Sequence, residues 1–401
     1  MGASSAFQLA AAGMGRILVL EKGPGVGAGS TGRSTAIVRQ TYSNLEVSRM
    51  AQEALALFHD WRDFTGVAEP KANFIPCGVL FLFAEGDPAV PQIQAMHAQL
   101  GIRSSLMDAA ARREAFPDLD FDAPRPDEVA QGRDTPQPTH ALLEETGGFA
   151  DPVGTAEDML DAARRHGVEV RFNTRVTAVA QQGGRVSGVT VAASGGTEDI
   201  AAPVVINCAG PWATALNAMA GQPLTHELVP TRIQVVTKAF NEQPKGRIPV
   251  MADMVTGFYG RLEASGAQMI LGSVREEDEQ EAISDPDEYN DVADAPFREH
   301  ILTMLHHRVP TFTTRGRVGS YAGVYTVNRT DYHPIIDQSG LAGFYHVNGF
   351  SGHGFKLSPV VGMLVAQKVL GQWGQGQTAI PLDFFDHGRP HLRSNWGGVI
   401  A

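Results

Sequence analysis

The first 22 residues constrain the fold more than any other part of the chain. An alanine-rich stretch, typical of a helix, runs to Gly13 and Gly15, where glycine can supply a left-handed cap. The apolar run Ile17–Leu20 follows and is typical of a short, buried parallel strand. An acid, Glu21, stands at the end of that strand. This order is the second half of the βαβ unit that binds dinucleotides, so the sequence predicts an α/β fold.

The first half of the same unit is missing. Gly2 occupies the place of the third glycine in the GxGxxG fingerprint, and the strand and two glycines that belong before it are absent. We therefore expect Met1 to lie about a dozen residues after the natural start. The resulting Rossmann-like domain would lack its first strand and one wall of its pyrophosphate site.

A second constraint lies near the C-terminus, in residues 348–359. Gly349, Gly352 and Gly354 fall within six residues and precede an apolar series typical of a buried helix. Glycines allow the backbone to approach a flat or anionic ligand closely. The free N–H groups of a helix start attract negative charge, and Lys356 in the first turn can hold a carboxylate.

Composition narrows the class of protein. The 401 residues are 43% hydrophobic, enough for a large core over two domains, and they include 44 glycines. A net charge of −12 argues against nucleic acid or an anionic membrane as the main partner. The two cysteines, Cys77 and Cys208, have no redox or metal-site spacing. The sequence contains no long apolar run and no recognisable signal peptide, so we expect a cytoplasmic protein.

Several segments in order carry a family resemblance. They are the opening helix with Glu21, then Gly29–Arg39, Gly148–Pro152, Asn207–Trp212, Phe258–Gly260, Tyr325–Asp337 and Gly349–Lys356. With them the chain resembles the D-amino-acid oxidase superfamily of FAD-dependent oxidoreductases, in the branch of sarcosine oxidase and dimethylglycine dehydrogenase. The resemblance implies an FAD-binding domain formed by residues 1–75, 145–215 and 322–401. It also implies a β-rich, mostly antiparallel substrate domain formed by residues 76–144 and 216–321.

The resemblance also implies which residues bind FAD. Glu21 would bind the adenosine ribose and Val176 would lie near the adenine. The full expected set is Gly2, Glu21, Lys22, Ser30, Thr31, Gly32, Arg33, Ser34, Thr35, Ala36, Val176, Ala209, Gly210, Trp212, Tyr325, Gly349, Gly352, His353, Gly354, Phe355 and Lys356. Some relatives attach the flavin covalently, through a cysteine where this chain has Gly323 or a histidine where it has Arg33. The FAD is therefore expected to be non-covalent.

Four residues are expected to act on the substrate. By resemblance, Arg39 and Lys356 clamp the substrate carboxylate and Tyr259 covers the substrate. Two cations are costly to bury unless an anion meets them, which supports the clamp independently. His353, between two glycines, could hydrogen-bond the flavin or tune the protonation of the amine. Each residue also has a purely structural alternative. Lys356 could be a surface lysine, and Arg39 could form a structural ion pair. His353 could only brace the loop, and Tyr259 could be a core tyrosine.

One departure concerns the electron acceptor. Relatives that keep a lysine and a histidine over the flavin carry them where this chain has Ile270 and Val274, and that lysine activates oxygen. Its absence favours a dehydrogenase over an oxidase and leaves open whether oxygen or an electron-transfer protein accepts the electrons.

No metal site is predicted. His387 and His391 have a four-residue spacing, but Gly388 and Pro390 lie between them and disfavour the helix that would align the two rings.

The expected reaction is oxidation of the C–N bond of a small amino acid, or an N-methylated one, to an imine. Similar folds also oxidise hydroxy acids or glycerol phosphate, and this alternative stays open. A further possibility is a flavin-binding subunit whose activity needs a partner. The acidic stretch Arg275–Asp294 is expected to be a solvated loop and helix face.

Overall fold

The computed structural model describes residues 1–121, 138–240, 244, 246–311 and 315–392. The helices among them are α1 (Gly2–Ala11), α2 (Leu45–His59), α3 (Trp61–Thr65), α4 (Ala89–Leu100), α5 (Ala109–Ala115), α6 (Pro152–Arg165), α7 (Ala213–Met219), α8 (Ala295–Arg308) and α9 (Gly354–Leu370). Among these residues no helix is both long and apolar enough to cross a membrane.

The strands fall into two groups by position in the chain. Those of the first half are β1 (Leu18–Leu20), β2 (Ile37–Val38), β3 (Val79–Ala84), β4 (Ser104–Met107), β5 (Pro138–Glu144), β6 (Gly148–Phe149), β7 (Glu169–Arg171), β8 (Arg175–Gln182), β9 (Arg185–Ala193) and β10 (Gly196–Ala201). Those of the second half are β11 (Val205–Asn207), β12 (Leu228–Ala239), β13 (Val250–Asp253), β14 (Phe258–Leu262), β15 (Gln268–Ser273), β16 (Val318–Asn328), β17 (Ile335–Gln338) and β18 (Phe344–Asn348).

The part of the fold that contains α1 includes two separate small sheets with parallel strands. One consists of β1 and β7, and the other has the order β11-β18-β17, with β11 parallel to β18. The two pieces are not joined by backbone pairing, and the described chain opens on α1 rather than on a strand. The predicted α/β class is confirmed.

Helix α1 lies at the centre of this part because small side chains let its neighbours approach. It packs against α6 and α9, and its residues from Ser4 to Ala10 are buried. A Cβ atom on Gly362 would lie 2.3 Å from Ser4 Oγ, so only glycine fits there. Ser4 Oγ donates to the carbonyl of Ser358 at 2.5 Å, which fastens α1 to the first turns of α9.

Helix α9 contains a proline in its second turn. Pro359 has no N–H to donate to the carbonyl of Phe355, but Ser358 Oγ donates to that carbonyl at 2.8 Å. The helix is buried without a break from Lys356 to Ala366, as the apolar series predicted. This burial fixes the position of the N-terminus of α9, where the glycine loop ends.

The second part is built on one eight-stranded sheet of order β16-β12-β15-β14-β13-β3-β5-β4. All its pairings are antiparallel except that between β3 and β13, which confirms a mostly antiparallel, β-rich unit. Helix α8 packs on it through Phe297, Ile301 and Leu305. Strand β16 crosses the expected boundary at residue 322, and residues 122–137 and 393–401 lie outside the described ranges. The domain limits stay predictions.

The acidic stretch is not only solvated, so that expectation was wrong in part. Arg232, whose side chain is 2% exposed, pairs with Glu281 at 2.7 Å and with Asp294 at 2.9 Å. Asp287 pairs with Lys22 and, at 3.3 Å, with Arg175. Arg232 is buried and needs counter-ions, but it lies 49 and 62 residues from these two acids, so the composition of the acidic stretch cannot reveal that need.

Candidate active site

Strand β16 brings the two glycine-containing stretches together. Ser30 Oγ donates to the carbonyl of Val324 at 2.6 Å, and Arg33 Nη1 donates to that of Ala322 at 2.9 Å. Farther along the same strand, Ser351 N donates to the carbonyl of Thr326 at 3.0 Å. The turn around Arg33 and the loop before α9 therefore converge on one strand. A site between them was the central expectation from the sequence.

The glycine loop lies against the ring of Tyr325. Gly352 has φ +83°, and a Cβ atom there would lie 2.6 Å from that ring. Gly349 also has positive φ (+75°) and packs on Leu228. Gly354 lies beside Phe350 and Met1, and Gly2 lies beside Cys208. The starts of α1 and α9 thus meet next to the turn that begins at Ala209.

Replacing Gly352 with alanine is expected to damage the site as well as the fold. A left-handed residue with a Cβ costs about 1–2 kcal/mol, and the new methyl group would displace Tyr325. Gly371→Ala is the matched control, because Gly371 also has positive φ (+66°) but a Cβ there meets nothing within 4 Å. In urea unfolding, Gly371→Ala should lose only the free energy of the left-handed backbone, whereas Gly352→Ala should lose more, because its methyl group also meets Tyr325. Only Gly352→Ala should change the visible absorbance of bound FAD, and equal spectra would contradict the prediction.

A cluster of cationic groups lies behind the loop. Lys356 is 7% exposed and forms no hydrogen bond or ion pair with any residue in the described ranges. Burial lowers the pKa of Lys356 well below its usual value, and the charge of Arg39 lowers it further. The guanidinium of Arg39 lies 4.2 Å from the centre of the Tyr42 ring. Two neighbouring buried cations, of which Lys356 has no partner in the described ranges, are chemically suited to an anion.

His353 completes this cluster. Its ring meets that of Tyr42 edge-on at 5.3 Å, and its Nε2 is buried without a hydrogen-bond partner. Burial lowers the pKa of His353 well below 6.5, and the charges of Lys356 and Arg39 act in the same direction. The imidazole is therefore neutral near pH 7, and its free nitrogen faces the cluster as a potential proton acceptor.

The carboxylate of Glu144 fixes the segment that carries Arg39. Glu144 is fully buried and accepts from the backbone N–H groups of Gln40 (2.9 Å) and Thr41 (3.1 Å) and from Thr41 Oγ1 (3.0 Å). Burial raises the pKa of Glu144, and these hydrogen bonds oppose the rise. The sequence analysis missed this residue, because no local pattern links it to a partner more than 100 positions away.

Tyr259 lies on β14 beside the turn that contains Thr35, with which its side chain hydrogen-bonds. Its ring lies over Gly272, where a Cβ atom would come within 2.4 Å. In the same turn, Ala36 has positive φ (+52°), and its N–H donates to Ser34 Oγ at 3.0 Å. The expected substrate-covering residue therefore sits next to the turn, within the same region as Tyr325.

The expected adenosine residues form a second group. Glu21 accepts from the N–H of Gly23 at 2.6 Å, and Lys22 Nζ lies 3.5 Å from the centre of the Trp212 ring. Gly29 lies beside the same ring. Thr174 N donates to the carbonyl of Glu21 at 2.9 Å, which brings Val176 close. The strand end, the turn and the tryptophan thus lie close together, although their residues are far apart in the sequence.

Buried polar atoms without partners occur in both groups of expected cofactor residues. Trp212 Nε1, His353 Nε2 and both side-chain polar atoms of Asn348 are buried without hydrogen-bond partners. Buried polar groups normally have hydrogen-bond partners, and leaving them without one costs free energy. A bound molecule that hydrogen-bonds to these atoms would remove that cost. Among the described residues, no group of three or more histidine, cysteine or acidic side chains is placed to hold a metal ion.

The family model described as "DAO: FAD dependent oxidoreductase" matches residues 1–368. The chain belongs to this family. FAD is accordingly its cofactor, and the unpartnered atoms and glycine loop fit that assignment. FAD-dependent oxidoreductase domain-containing protein 1 of Xenopus laevis is 26% identical over 387 residues, which cover 88% of this chain and 73% of that protein.

A second relative and a solved structure are also similar to this chain. Sarcosine oxidase subunit beta of Rhodobacter capsulatus is 23% identical over 365 residues, 89% of this chain and 79% of that protein. The crystal structure of L-proline dehydrogenase from P. horikoshii has a TM-score of 0.79 at 22% identity, over 96% of this chain and 93% of that one. The structural likeness confirms the fold, and the predicted superfamily resemblance is confirmed.

Proposed function

We propose that this DAO-family flavoenzyme oxidises the C–N bond of a small amino acid, or an N-methylated one, to an imine. The unpaired Lys356 beside Arg39 supports this most directly, because the pair is suited to a carboxylate. Bound FAD supplies the acceptor for the hydride equivalent that leaves the carbon next to nitrogen. Water then hydrolyses the imine to a carbonyl compound and an amine or ammonia.

Each site residue has a proposed task. Arg39 and Lys356 hold the substrate carboxylate, and Glu144 keeps the Arg39 segment in place. The neutral Nε2 of His353 accepts the proton of the substrate ammonium, so that the amine lone pair becomes available. Tyr259 covers the substrate and excludes water. Glu21, Lys22 and Trp212 hold the adenosine and pyrophosphate end of FAD, without a covalent link, and the Ser30–Ala36 turn lines its flavin end.

The proposal is tested by flavin bleaching in the absence of oxygen. Sarcosine, dimethylglycine and proline should bleach the bound FAD, whereas sarcosine amide, which lacks the carboxylate, should not. Bleaching by 2-hydroxy acids or glycerol phosphate alone would favour the alternative substrate class. A chain that binds FAD but responds to none of these compounds would favour a subunit that needs a partner, as the likeness to a sarcosine oxidase subunit suggests.

We further propose a dehydrogenase rather than an oxidase, since Ile270 and Val274 stand where oxygen-activating relatives carry lysine and histidine. Reoxidation of the bleached flavin by a dye acceptor should be much faster than reoxidation by air. Equal rates with the two acceptors would contradict this part of the proposal.

The affinity for carboxylates should fall as pH rises. Because the pKa of Lys356 is lowered, its ammonium group in the ligand-free protein loses a proton at a lower pH than that of an ordinary lysine. A bound carboxylate favours the cation and raises that pKa again, so binding takes up a proton. The dissociation constant of acetate, read from the flavin spectrum at a series of pH values over which the protein stays folded, should therefore increase with pH. Lys356→Arg should remove this dependence, because arginine stays protonated.

A further inference from the structure

A buried network of polar side chains connects the Arg39 segment to helix α4 and strand β4. Thr41 Oγ1 lies 3.0 Å from the carboxylate of Glu144 and 3.2 Å from Nε2 of His97. His97 Nδ1 lies 2.8 Å from Ser104 Oγ. Thr41, His97 and Glu144 are all buried. Ser104 and Glu144 are register partners on β4 and β5, so the network spans two adjacent strands, one helix and the Arg39 segment.

The direction of each hydrogen bond in this network follows from the protons available. Burial lowers the pKa of His97 to about 4, so the imidazole carries one proton near pH 7. The Thr41 hydroxyl also has one proton, and it donates to the carboxylate of Glu144, which can only accept while ionised. Thr41 Oγ1 must then accept from His97 Nε2–H, and His97 Nδ1 accepts from the hydroxyl of Ser104. The network thus fixes a single tautomer of His97.

The network reaches the arginine of the clamp through Thr41. The Arg39 guanidinium donates to the carbonyl of Thr41. The N–H and the hydroxyl of Thr41 both donate to Glu144, at 3.1 Å and 3.0 Å. Without His97, the buried hydroxyl oxygen of Thr41 would lose its donor, and a buried polar atom left without a partner costs free energy. Neither His97 nor Ser104 is among the residues expected to bind FAD or the substrate.

We propose that His97 is a positioning residue of the carboxylate clamp. Its Nε2–H occupies the hydroxyl oxygen of Thr41, so that the Thr41 proton stays on the hydrogen bond to Glu144. Thr41, held by its side chain and its N–H, presents its carbonyl to the Arg39 guanidinium. The opposite tautomer of His97 would compete with Glu144 for the Thr41 proton, and Ser104 prevents it by donating to Nδ1. This role rests on the proposed function, in which Arg39 binds the substrate carboxylate.

The test is titration of the FAD-bound protein with acetate, read from the flavin spectrum, in two variants of His97. His97→Gln places an amide N–H near the position of Nε2 and can still donate to Thr41. The side chain of His97→Asn reaches only as far as Nδ1 and cannot. The dissociation constant of acetate should rise about tenfold in His97→Asn, the factor that corresponds to one lost hydrogen bond. In His97→Gln it should stay within about twofold of the wild-type value.

Equal acetate dissociation constants in His97→Asn and His97→Gln would overturn the positioning role, because both variants lack the ring and differ in the donor to Thr41. Failure of the wild-type protein to bind acetate would overturn the clamp itself, and this role with it. If the His97 variants do not fold, Thr41→Val and Thr41→Ser replace them. Only Thr41→Val, which lacks the hydroxyl, should then raise the dissociation constant about tenfold, and equal constants would overturn the role.

The tautomer of His97 is measured separately, by nitrogen-15 NMR of FAD-bound protein with labelled histidine rings. The signal that disappears in His97→Gln should be that of a neutral imidazole with its proton on Nε2 near pH 7. A proton on Nδ1, or on both nitrogens, would overturn the proposed direction of the hydrogen bonds. Because this measurement needs neither acetate nor turnover, it stays readable if the proposed amine oxidation fails.

Discussion

Replacing Lys356 with methionine is expected to lower kcat/KM for the amino-acid substrate about a hundredfold and, at the same time, to stabilise the fold. Loss of one partner of a desolvated charge pair costs about 3 kcal/mol, which corresponds to that factor. In the free protein, however, Lys356 is a buried cation with no acid partner in the described ranges. Methionine has a similar length and no charge, so the free protein should unfold at a higher temperature.

The opposite directions of these two effects distinguish a binding role from a structural one. Anaerobic stopped-flow reduction of the flavin measures the first effect, and thermal unfolding of the FAD-bound protein measures the second. Lys368→Met is a suitable control, since Lys368 lies on the same helix but pairs with Asp337 and Asp386. It should leave flavin reduction unchanged. A Lys356→Met protein that is less stable, yet reduced at the normal rate, would show that the lysine is structural.

The local parts of this site were predictable because each has its own sequence signal. The glycine loop and the lysine at the start of α9 follow from three glycines before an apolar helix. Glu21 follows from a short apolar strand that ends in an acid, although this strand is only half-buried. The resemblance assigned the turn around Arg33 and the glycine loop to one cofactor, and in the structure both segments hydrogen-bond to β16.

The remaining parts depend on contacts between distant segments, which a single sequence does not encode locally. Glu144 acts on residues about 100 positions away, and His97 bonds to a hydroxyl 56 positions away. The same limit explains the error over the acidic stretch, whose partners Arg232 and Lys22 lie in other elements.

Replacing Asp253 with asparagine is expected to lower the unfolding free energy of the part built on the eight-stranded sheet by about 3–5 kcal/mol. This is the usual effect of removing one partner of a buried ion pair. Arg308 Nε donates to Asp253 Oδ2 at 2.6 Å, and the two side chains are 1% and 0% exposed. The other oxygen of Asp253 accepts from the N–H groups of Val255 and Thr256 at 2.9 Å. Asparagine could keep this turn but would leave the guanidinium buried beside a neutral group.

The pair joins β13 to the end of α8, so its loss should loosen the packing of that helix on the eight-stranded sheet. Urea unfolding of the FAD-bound protein measures the change. Asp161→Asn is the control, because its 2.9 Å pair with Arg164 is largely exposed and should contribute only about 0.5 kcal/mol. Adding Arg308→Met to Asp253→Asn should restore part of the lost stability, since it removes the buried guanidinium with which Asp253 pairs. A double variant no more stable than Asp253→Asn would mean that packing around Arg308, rather than its charge, holds α8 in place.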